Sequence, residues 1–238
     1  MGFAQRRNLV EQRLSAAGSL HRLSLARSRL EARLAASIAA FVGGHCLDCG
    51  AGRSPYAPLL AATATRVTVV DIEDRSGHVD LIADIQDMPQ LADASFESVL
   101  CTQVLEHVPE PARAVGELAR VLIPGGHLIL SVPHLSAIHE APNDYFRYTR
   151  FGLESLCRAA GLEVVEVSAT AGLVAFVAHG VSVGLMTSLG TVPGLFHLVR
   201  VFNELILIRL AGAVDGLLGF PGRYPCDYVL VARKQVAA

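Results

Sequence analysis

The chain reads as an α/β protein built on a doubly wound, largely parallel sheet, and three observations predict this. A short apolar run, His45-Cys46-Leu47-Asp48-Cys49, enters the turn Gly50-Ala51-Gly52 and then a helical segment. Two further apolar runs, Arg66–Asp71 about one strand-helix unit after that turn and then Val79–Asp84, each end in an acid. Such runs alternate with helical patterns instead of following one another as hairpins, which is the signature of parallel strands joined by crossover helices.

The first strand and its turn carry the earliest chemical signal. Glycines at 50 and 52 let the backbone turn tightly and approach a ligand where a Cβ would intrude. A dinucleotide site wants Gly-x-Gly-x-x-Gly, with the pyrophosphate on the helix N-terminus. Here the third position is Pro55, and Asp48 precedes the turn where it would repel a phosphate. An acid at that place suits a cationic ligand.

The second strand, Arg66-Val67-Thr68-Val69-Val70-Asp71, ends in a carboxylate placed to accept hydrogen bonds from both hydroxyls of a ribose. The third, Val79–Asp84, sets Asp84 to take a hydrogen bond from an adenine amino group while Ile85 covers the ring face. Phe96–Cys101 is the fourth strand, followed by Gln103-Val104-Leu105-Glu106-His107-Val108-Pro109. Arg120–Gly126 closes a helix, and His127–Val132 is the fifth strand.

This order of motifs resembles the class I S-adenosylmethionine-dependent methyltransferases, in particular the group called methyltransferase type 11. The matching residues are Asp48-x-Gly50-x-Gly52, Asp71, Ala83-Asp84, Val104–Pro109 and Arg120-Val121-Leu122-x-Pro124-Gly125-Gly126, with Asn143–Thr149 as a further match. The chain departs at Ser54, where many relatives carry another glycine. The resemblance covers residues 40 to 170 and the last strand. It implies a Rossmann-like sheet of seven strands, six parallel, with the last strand, Tyr228–Lys234, antiparallel between the fifth and sixth. It also implies S-adenosylmethionine as cofactor, held by Asp48, Gly50, Gly52, Asp71, Ile72, Asp84, Ile85 and Gln103.

In open α/β sheets ligands bind beyond the carboxyl ends of the strands, so the acceptor belongs in the loop after strand five. That loop holds Pro133, His134, His139, Glu140, Asp144, Tyr145, Arg147 and Tyr148. Methyl transfer mainly needs proximity, alignment and exclusion of water, and an oxygen acceptor also needs its proton removed. His134 is the first candidate base and His139 the second; the ordinary alternative for either is a ring that caps a turn or bonds a backbone carbonyl. Asp144, Tyr145, Arg147 and Tyr148 are the candidate acceptor contacts, and a salt bridge locking the loop is the plainer reading of the charged pair. Glu106 and His107 read as scaffolding beside the cofactor. A helix over Thr149–Ala160 stopped by Gly161 and a sixth strand over Glu163–Ala169 follow.

Segments outside the sheet give three expected regions: 1–44, a catalytic body of 45–170 with 226–238, and an insertion of 171–225. The first reads as helical from Ala4 to Val42, with Leu20, Leu23, Leu30 and Leu34 on one face. Seven arginines against Glu11 and Glu31 give it a charge of +5, leaving −7 on the remainder of a chain whose net charge is −2. An acidic body without interleaved aromatic and basic residues argues against a nucleic-acid partner.

The insertion is unusually apolar, with no charged residue from Thr170 to Val199. Strands six and seven share one sheet, so a single membrane pass is excluded. A second pass over 200–220 would carry Arg200, Glu204, Arg209 and Asp215 into the bilayer. That stretch instead predicts an amphipathic helix with Arg200, Glu204 and Asp215 on the polar face, and glycines with Pro193 break the segment before it. Three readings stand open for the insertion: a roof over the acceptor site, a homodimer interface, or a surface that docks on a membrane to meet a lipid-linked acceptor.

The five cysteines form no framework. Cys46-x-x-Cys49 lacks the second ligand pair a zinc site needs and lies on a strand, so it reads as packing; no metal site is expected. Reduced thiols fit a cytoplasmic protein. The sequence therefore predicts a methyltransferase acting on a small-molecule, glycan or lipid-linked acceptor at oxygen. A catalytically silent fold that binds the cofactor and works through its insertion is the alternative, and Pro55 and Asp48 argue against a dinucleotide oxidoreductase.

Overall fold

The computed structural model describes Gly2, Gln5 and residues 24–74, 77–192 and 194–236. Most of the expected N-terminal helix, and Pro193, lie outside these residues. The described part of that helix is α1, Leu25–Phe41. Its Leu30, Leu34 and Ile38 recur every four residues and are buried.

The chain divides into two compact units. Residues 33–168 with 228–236 contain nearly all of the sheet, and residues 24–32 with 169–227 form a helical unit. The sheet elements are β1 (His45–Cys49), β2 (Arg66–Asp71), β3 (Leu81–Ile82), β4 (Phe96–Thr102), β5 (Leu122–Pro133), β6 (Leu162–Thr170) and β7 (Asp227–Lys234). Helices α2 (Ala57–Thr63), α3 (Pro111–Val121) and α4 (Arg150–Ala159) connect them.

The seven strands lie in the order β3-β2-β1-β4-β5-β7-β6. β1 pairs parallel with β2 and β4, which places Asp48 level with Val69 on one side and Leu100 on the other. The central strands are covered on both faces, so they read as nearly continuous apolar runs: Cys46, Leu47, Cys49, Val99 and Leu100 are fully buried. Side chains fix the direction of β7. Thr170 at the end of β6 bonds Asp227 at the start of β7, and Glu163 at the start of β6 pairs with Arg233 near the end of β7. β7 is therefore antiparallel to β6, as the resemblance implies.

Two boundaries differ from expectation. β3 is only Leu81–Ile82, not Val79–Asp84. At Asp80 the backbone N–H still bonds the Val69 carbonyl at 2.9 Å, but the Val69 N–H is taken by the Asp80 carboxylate instead of by backbone, while Asp84 and Asp87 close a tight turn. The helix before β5 stops at Val121, and Leu122–Gly126, expected to end it, already belong to the strand. A bulge resolves this: Phe96 faces Leu122 but Ser98 faces His127. Gly126 is required there, because an added Cβ would stand 2.9 Å from the Glu97 carbonyl.

α4 begins one residue later than predicted because Thr149 is its cap, the hydroxyl accepting the Gly152 N–H at 3.2 Å. Gly161 takes a φ of +76° just beyond it, as the expected stop requires.

The helical unit contains α5 (Leu173–Leu189), α6 (Phe196–Phe202), a π-helical stretch Asn203–Ile208, α7 (Arg209–Leu218) and the single turn α8 (Phe220–Arg223). Among the described residues no helix is long and apolar enough to cross a membrane. The expected amphipathic arrangement of 200–220 is inverted at several positions. Asp215, predicted on the polar face, is buried, and its carboxylate accepts the N–H groups of Gly172, Val174 and Ala175 at 2.8 to 3.1 Å. Those are the orphan donors at the start of α5, whose own cap position is a glycine with no side chain to offer. Conversely Leu210 is 61% and Leu217 86% exposed. An apolar cavity of about 540 Å³ lies between α5 and the α6–π segment, lined by Leu185, Leu189, Val199, Phe202 and neighbours.

Candidate functional site

The turn after β1 is held in shape by the acid at the end of β2. Gly50 and Gly52 have φ of +66° and +58°. A Cβ at Gly50 would sit 2.4 Å from Val104, whereas one at Gly52 would meet nothing within 4 Å. Gly50 is therefore required by space and conformation together, Gly52 by conformation alone and by the room it leaves. The Gly52 N–H donates to Asp71 Oδ2 at 2.7 Å and the Glu73 N–H to Oδ1 at 3.3 Å. Ser54, at the departure from the family pattern, is itself left-handed with φ of +50°.

Asp48 is almost wholly buried beneath this turn. Burial, and then the charge of Asp71, push its carboxyl up to about 7. Two acids near enough to raise one another's cost of ionisation form a site whose charge favours a cation.

The other expected cofactor residues separate into two kinds. Ile72 is 67% exposed and presents an apolar surface beside Asp71, while Asp84 is exposed with its carboxylate engaged by Gln86. Ile85, expected to cover a ring face, is instead 5% exposed and packed in the main core. Gln103 has φ of +55°, its N–H bonds the Ser131 carbonyl at 2.8 Å, and its amide reaches the Ser131 hydroxyl. It joins the ends of β4 and β5.

Beyond those strand ends two loops are laced by backbone bonds. Tyr145 and Phe146 N–H both donate to the Glu106 carbonyl, at 2.8 and 3.3 Å. The Tyr148 hydroxyl donates to the Leu105 carbonyl at 2.9 Å. Tyr148, a predicted acceptor contact, is thus a buried anchor, and burial raises its phenol well above the ordinary value. Tyr145 remains half exposed, bonded to the Asn143 side chain. Arg147 clasps Asp144 through both carboxylate oxygens, at 2.6 and 2.7 Å, and holds that carboxyl far below the usual range. The plainer expectation, a pair that locks the loop, is what this geometry does.

The lacing brings His139 to the adjacent pair Glu106 and His107, a meeting the sequence did not indicate. Glu106, fully buried, lies 3.7 Å from His107 Nε2 and 3.9 Å from His139 Nε2 through one carboxylate oxygen. The two rings meet edge to face at 4.8 Å. These residues have the proximity of metal ligands, which the sequence had tested only at Cys46 and Cys49. Those two thiols are buried, and burial pushes Cys46 up to about 11, against a redox role. His134 stands apart at the end of β5, half buried, Nδ1 bonded to the Tyr148 carbonyl at 2.8 Å and the ring edge-on to Tyr228.

Comparison with known proteins gives the class. Residues 47–130 match the methyltransferase domain family, and the 3-2-1-4-5-7-6 sheet is that of a Rossmann-like methyltransferase fold. The chain is 26% identical over 159 residues to the ubiquinone biosynthesis O-methyltransferase of Aromatoleum aromaticum, covering 54% of this chain and 68% of that one. It is 33% identical over 102 residues to the protein of that name from Alkalilimnicola ehrlichii, covering 37% and 41%. The chain thus spans about two thirds of the first relative and under half of the second.

Solved structures agree in fold. The [4+2]-cyclase SpnF superposes with a TM-score of 0.56 at 22% identity, covering 86% of this chain and 81% of that one. The 1,6-didemethyltoxoflavin-N1-methyltransferase of Burkholderia thailandensis, bound to S-adenosylhomocysteine, gives 0.51 at 18%, covering 81% and 71%.

Proposed function

We propose that the protein transfers a methyl group from S-adenosylmethionine to an oxygen of a small-molecule or lipid-linked acceptor. The observation that carries this reading is the preformed turn, with Asp71 holding the Gly52 backbone and Asp48 buried below it. When bound, the cofactor supplies a methyl group already activated on a sulfonium. Asp48 would complement the positive charge, Asp71 the ribose, Ile72 the adenine face and Asp84 its amino group. Gln103 would fix the floor between β4 and β5. Oxygen as acceptor is supported by the relatives, which are O-methyltransferases by name.

His134 is the base we assign. Its Nδ1 faces a carbonyl, which only accepts, so Nδ1 carries the hydrogen and Nε2 of the neutral ring is the proton acceptor. The acceptor hydroxyl would give its proton to Nε2 as the oxygen takes the methyl, and Tyr228 and Tyr148 hold the ring in place. The test is calorimetric titration of S-adenosylhomocysteine with labelled methyl transfer to a panel of phenolic and lipid-linked alcohols. His134→Ala should lose about 10²–10⁴ in turnover and keep its affinity for S-adenosylhomocysteine. Absence of binding to folded wild-type protein would sink the reading.

A second reading has its own observation. The SpnF fold match belongs to a cyclase, and a fold does not fix its chemistry. Cofactor binding without methyl transfer to any acceptor favours it. A lipid-linked acceptor is supported by the exposed apolar residues of the helical unit, such as Leu198, Leu210 and Leu217; flotation with liposomes checks it.

A further inference from the structure

We infer that Glu106, His107 and His139 hold a divalent first-row metal ion of zinc-like preference, through one carboxylate oxygen and the two Nε2 atoms. The tautomers set the donors. His107 Nδ1 is 2.6 Å from the Asn143 carbonyl and His139 Nδ1 is 3.1 Å from the Ala137 carbonyl. Carbonyls only accept, so each Nδ1 is assigned a hydrogen. At His139 the Asp144 carboxylate, 3.6 Å from Nδ1, adds a second acceptor beside the approach of Arg147 at 3.5 Å. Each neutral ring then has its lone pair on Nε2. Both lone pairs face the same buried oxygen of Glu106, at 3.7 and 3.9 Å. Three electron-pair donors thus converge at separations too long for direct hydrogen bonds.

A cation between them fits this spacing. Tetrahedral zinc with bonds of about 2.0–2.1 Å keeps its donors about 3.4 Å apart. The Glu106–histidine pairs are within about half an ångström of that, and the widest pair of the set, at no more than 4.8 Å, closes the rest by side-chain rotation. Two imidazoles and one carboxylate suit zinc, cobalt or iron; magnesium and calcium prefer oxygen alone. Three protein ligands leave a coordination position open, as in catalytic zinc sites.

The surroundings are those of supported ligands. A metal-binding histidine usually donates its other N–H to a carbonyl or carboxylate, as both rings do here. Asp144 accepts the His139 backbone N–H at 2.9 Å and lies 3.6 Å from its Nδ1, while Arg147 neutralises Asp144. Glu106 would therefore be the acid that gives up its proton as the ion binds and supplies the negative charge. The Glu106 side chain is sealed, whereas His139 is 38% exposed, which leaves that side open for entry.

Metal binding itself does not depend on the methyl-transfer reading. Its consequence does: an ion with an open position would bind the acceptor oxygen and acidify its hydroxyl, so that the proton passes to a base such as His134 or to water. The experiment is titration of chelator-treated full-length protein with Co²⁺ and Zn²⁺, followed by calorimetry and by visible absorption for cobalt. One ion per chain is expected, with cobalt absorption of four-coordinate intensity, and His139→Ala and His107→Ala each weakening it at least tenfold. Asp144→Asn should weaken it about tenfold through its effect on His139. S-adenosylhomocysteine binding, measured in every variant, reports that the fold stands. No uptake at micromolar metal, or uptake unchanged in both histidine variants, overturns the inference. Loss of S-adenosylhomocysteine binding in the wild type would instead overturn the proposed function and leave the metal result readable.

Discussion

Asp71 on β2 holds Gly52 in the turn after β1 through a 2.7 Å hydrogen bond from the glycine N–H. The acid assigned to the ribose therefore also sets the backbone of the cofactor turn. Asp71→Ala should weaken S-adenosylhomocysteine binding by about 1–3 kcal/mol, the cost of leaving buried donors unmatched. It should also lower the melting temperature of the unliganded protein. A variant that loses affinity with an unchanged melting temperature would refute the dual role.

Gly50 and Gly52 should respond differently to alanine. At Gly50 the new methyl would lie 2.4 Å from Val104, so steric strain adds to conformational strain, for a total of about 2–4 kcal/mol. Gly52→Ala carries only the conformational part, about 1–2 kcal/mol. Adding Val104→Ala to Gly50→Ala should remove the clash, apart from what Val104 itself contributes to packing. Urea unfolding of the four proteins reads this directly.

Ser54 occupies a left-handed conformation that glycine adopts without penalty. Ser54→Gly should therefore stabilise the protein by about 1 kcal/mol and leave cofactor affinity unchanged. A destabilised variant would mean that the serine side chain does more than tolerate its φ.

Asp48 makes stability depend on pH. Its carboxyl is raised from 3.8 to about 7 in the folded protein, so folding takes up a proton between those values. The contribution is fully present below about pH 4 and lost as pH rises through about 7, with an upper bound of about 4 kcal/mol at 1.36 kcal/mol per unit. Asp48→Asn should flatten this decline and be the more stable protein at pH 8. It should also bind S-adenosylmethionine less well relative to the uncharged S-adenosylhomocysteine. An unchanged ratio would argue against a charge-complementing role.

Asp215→Ala should expose the start of α5. Three backbone donors lose their acceptor, which costs about 2–3 kcal/mol. Hydrogen exchange should accelerate at the Val174 and Ala175 amides more than elsewhere in that helix.

The sheet was legible because its signals are local. Central strands are apolar throughout, the turn is marked by Gly50 and Gly52, and Asp71 follows at the end of the next strand. The bulge that lets β5 begin at Leu122 is less visible, since Pro124-Gly125-Gly126 reads as a break in a sequence and as a kinked strand in the fold. Asp215 shows a different limit. Helical spacing assigned it to a polar face, but the nearest unmatched donors were on another helix some forty residues away. Glu106 and His139 met for a similar reason: backbone bonds from Tyr145 and Phe146 drew their loops together. No periodicity records a partner chosen at that distance.

Those two backbone bonds to the Glu106 carbonyl have a bearing on how the protein diversifies. A path fixed by main-chain atoms is indifferent to most of the side chains it carries. Exposed positions such as Ser136 and Ile138 can vary while Tyr145 and Phe146 keep the loop where it is. Acceptor preference in this lineage should accordingly drift faster than the frame that presents it.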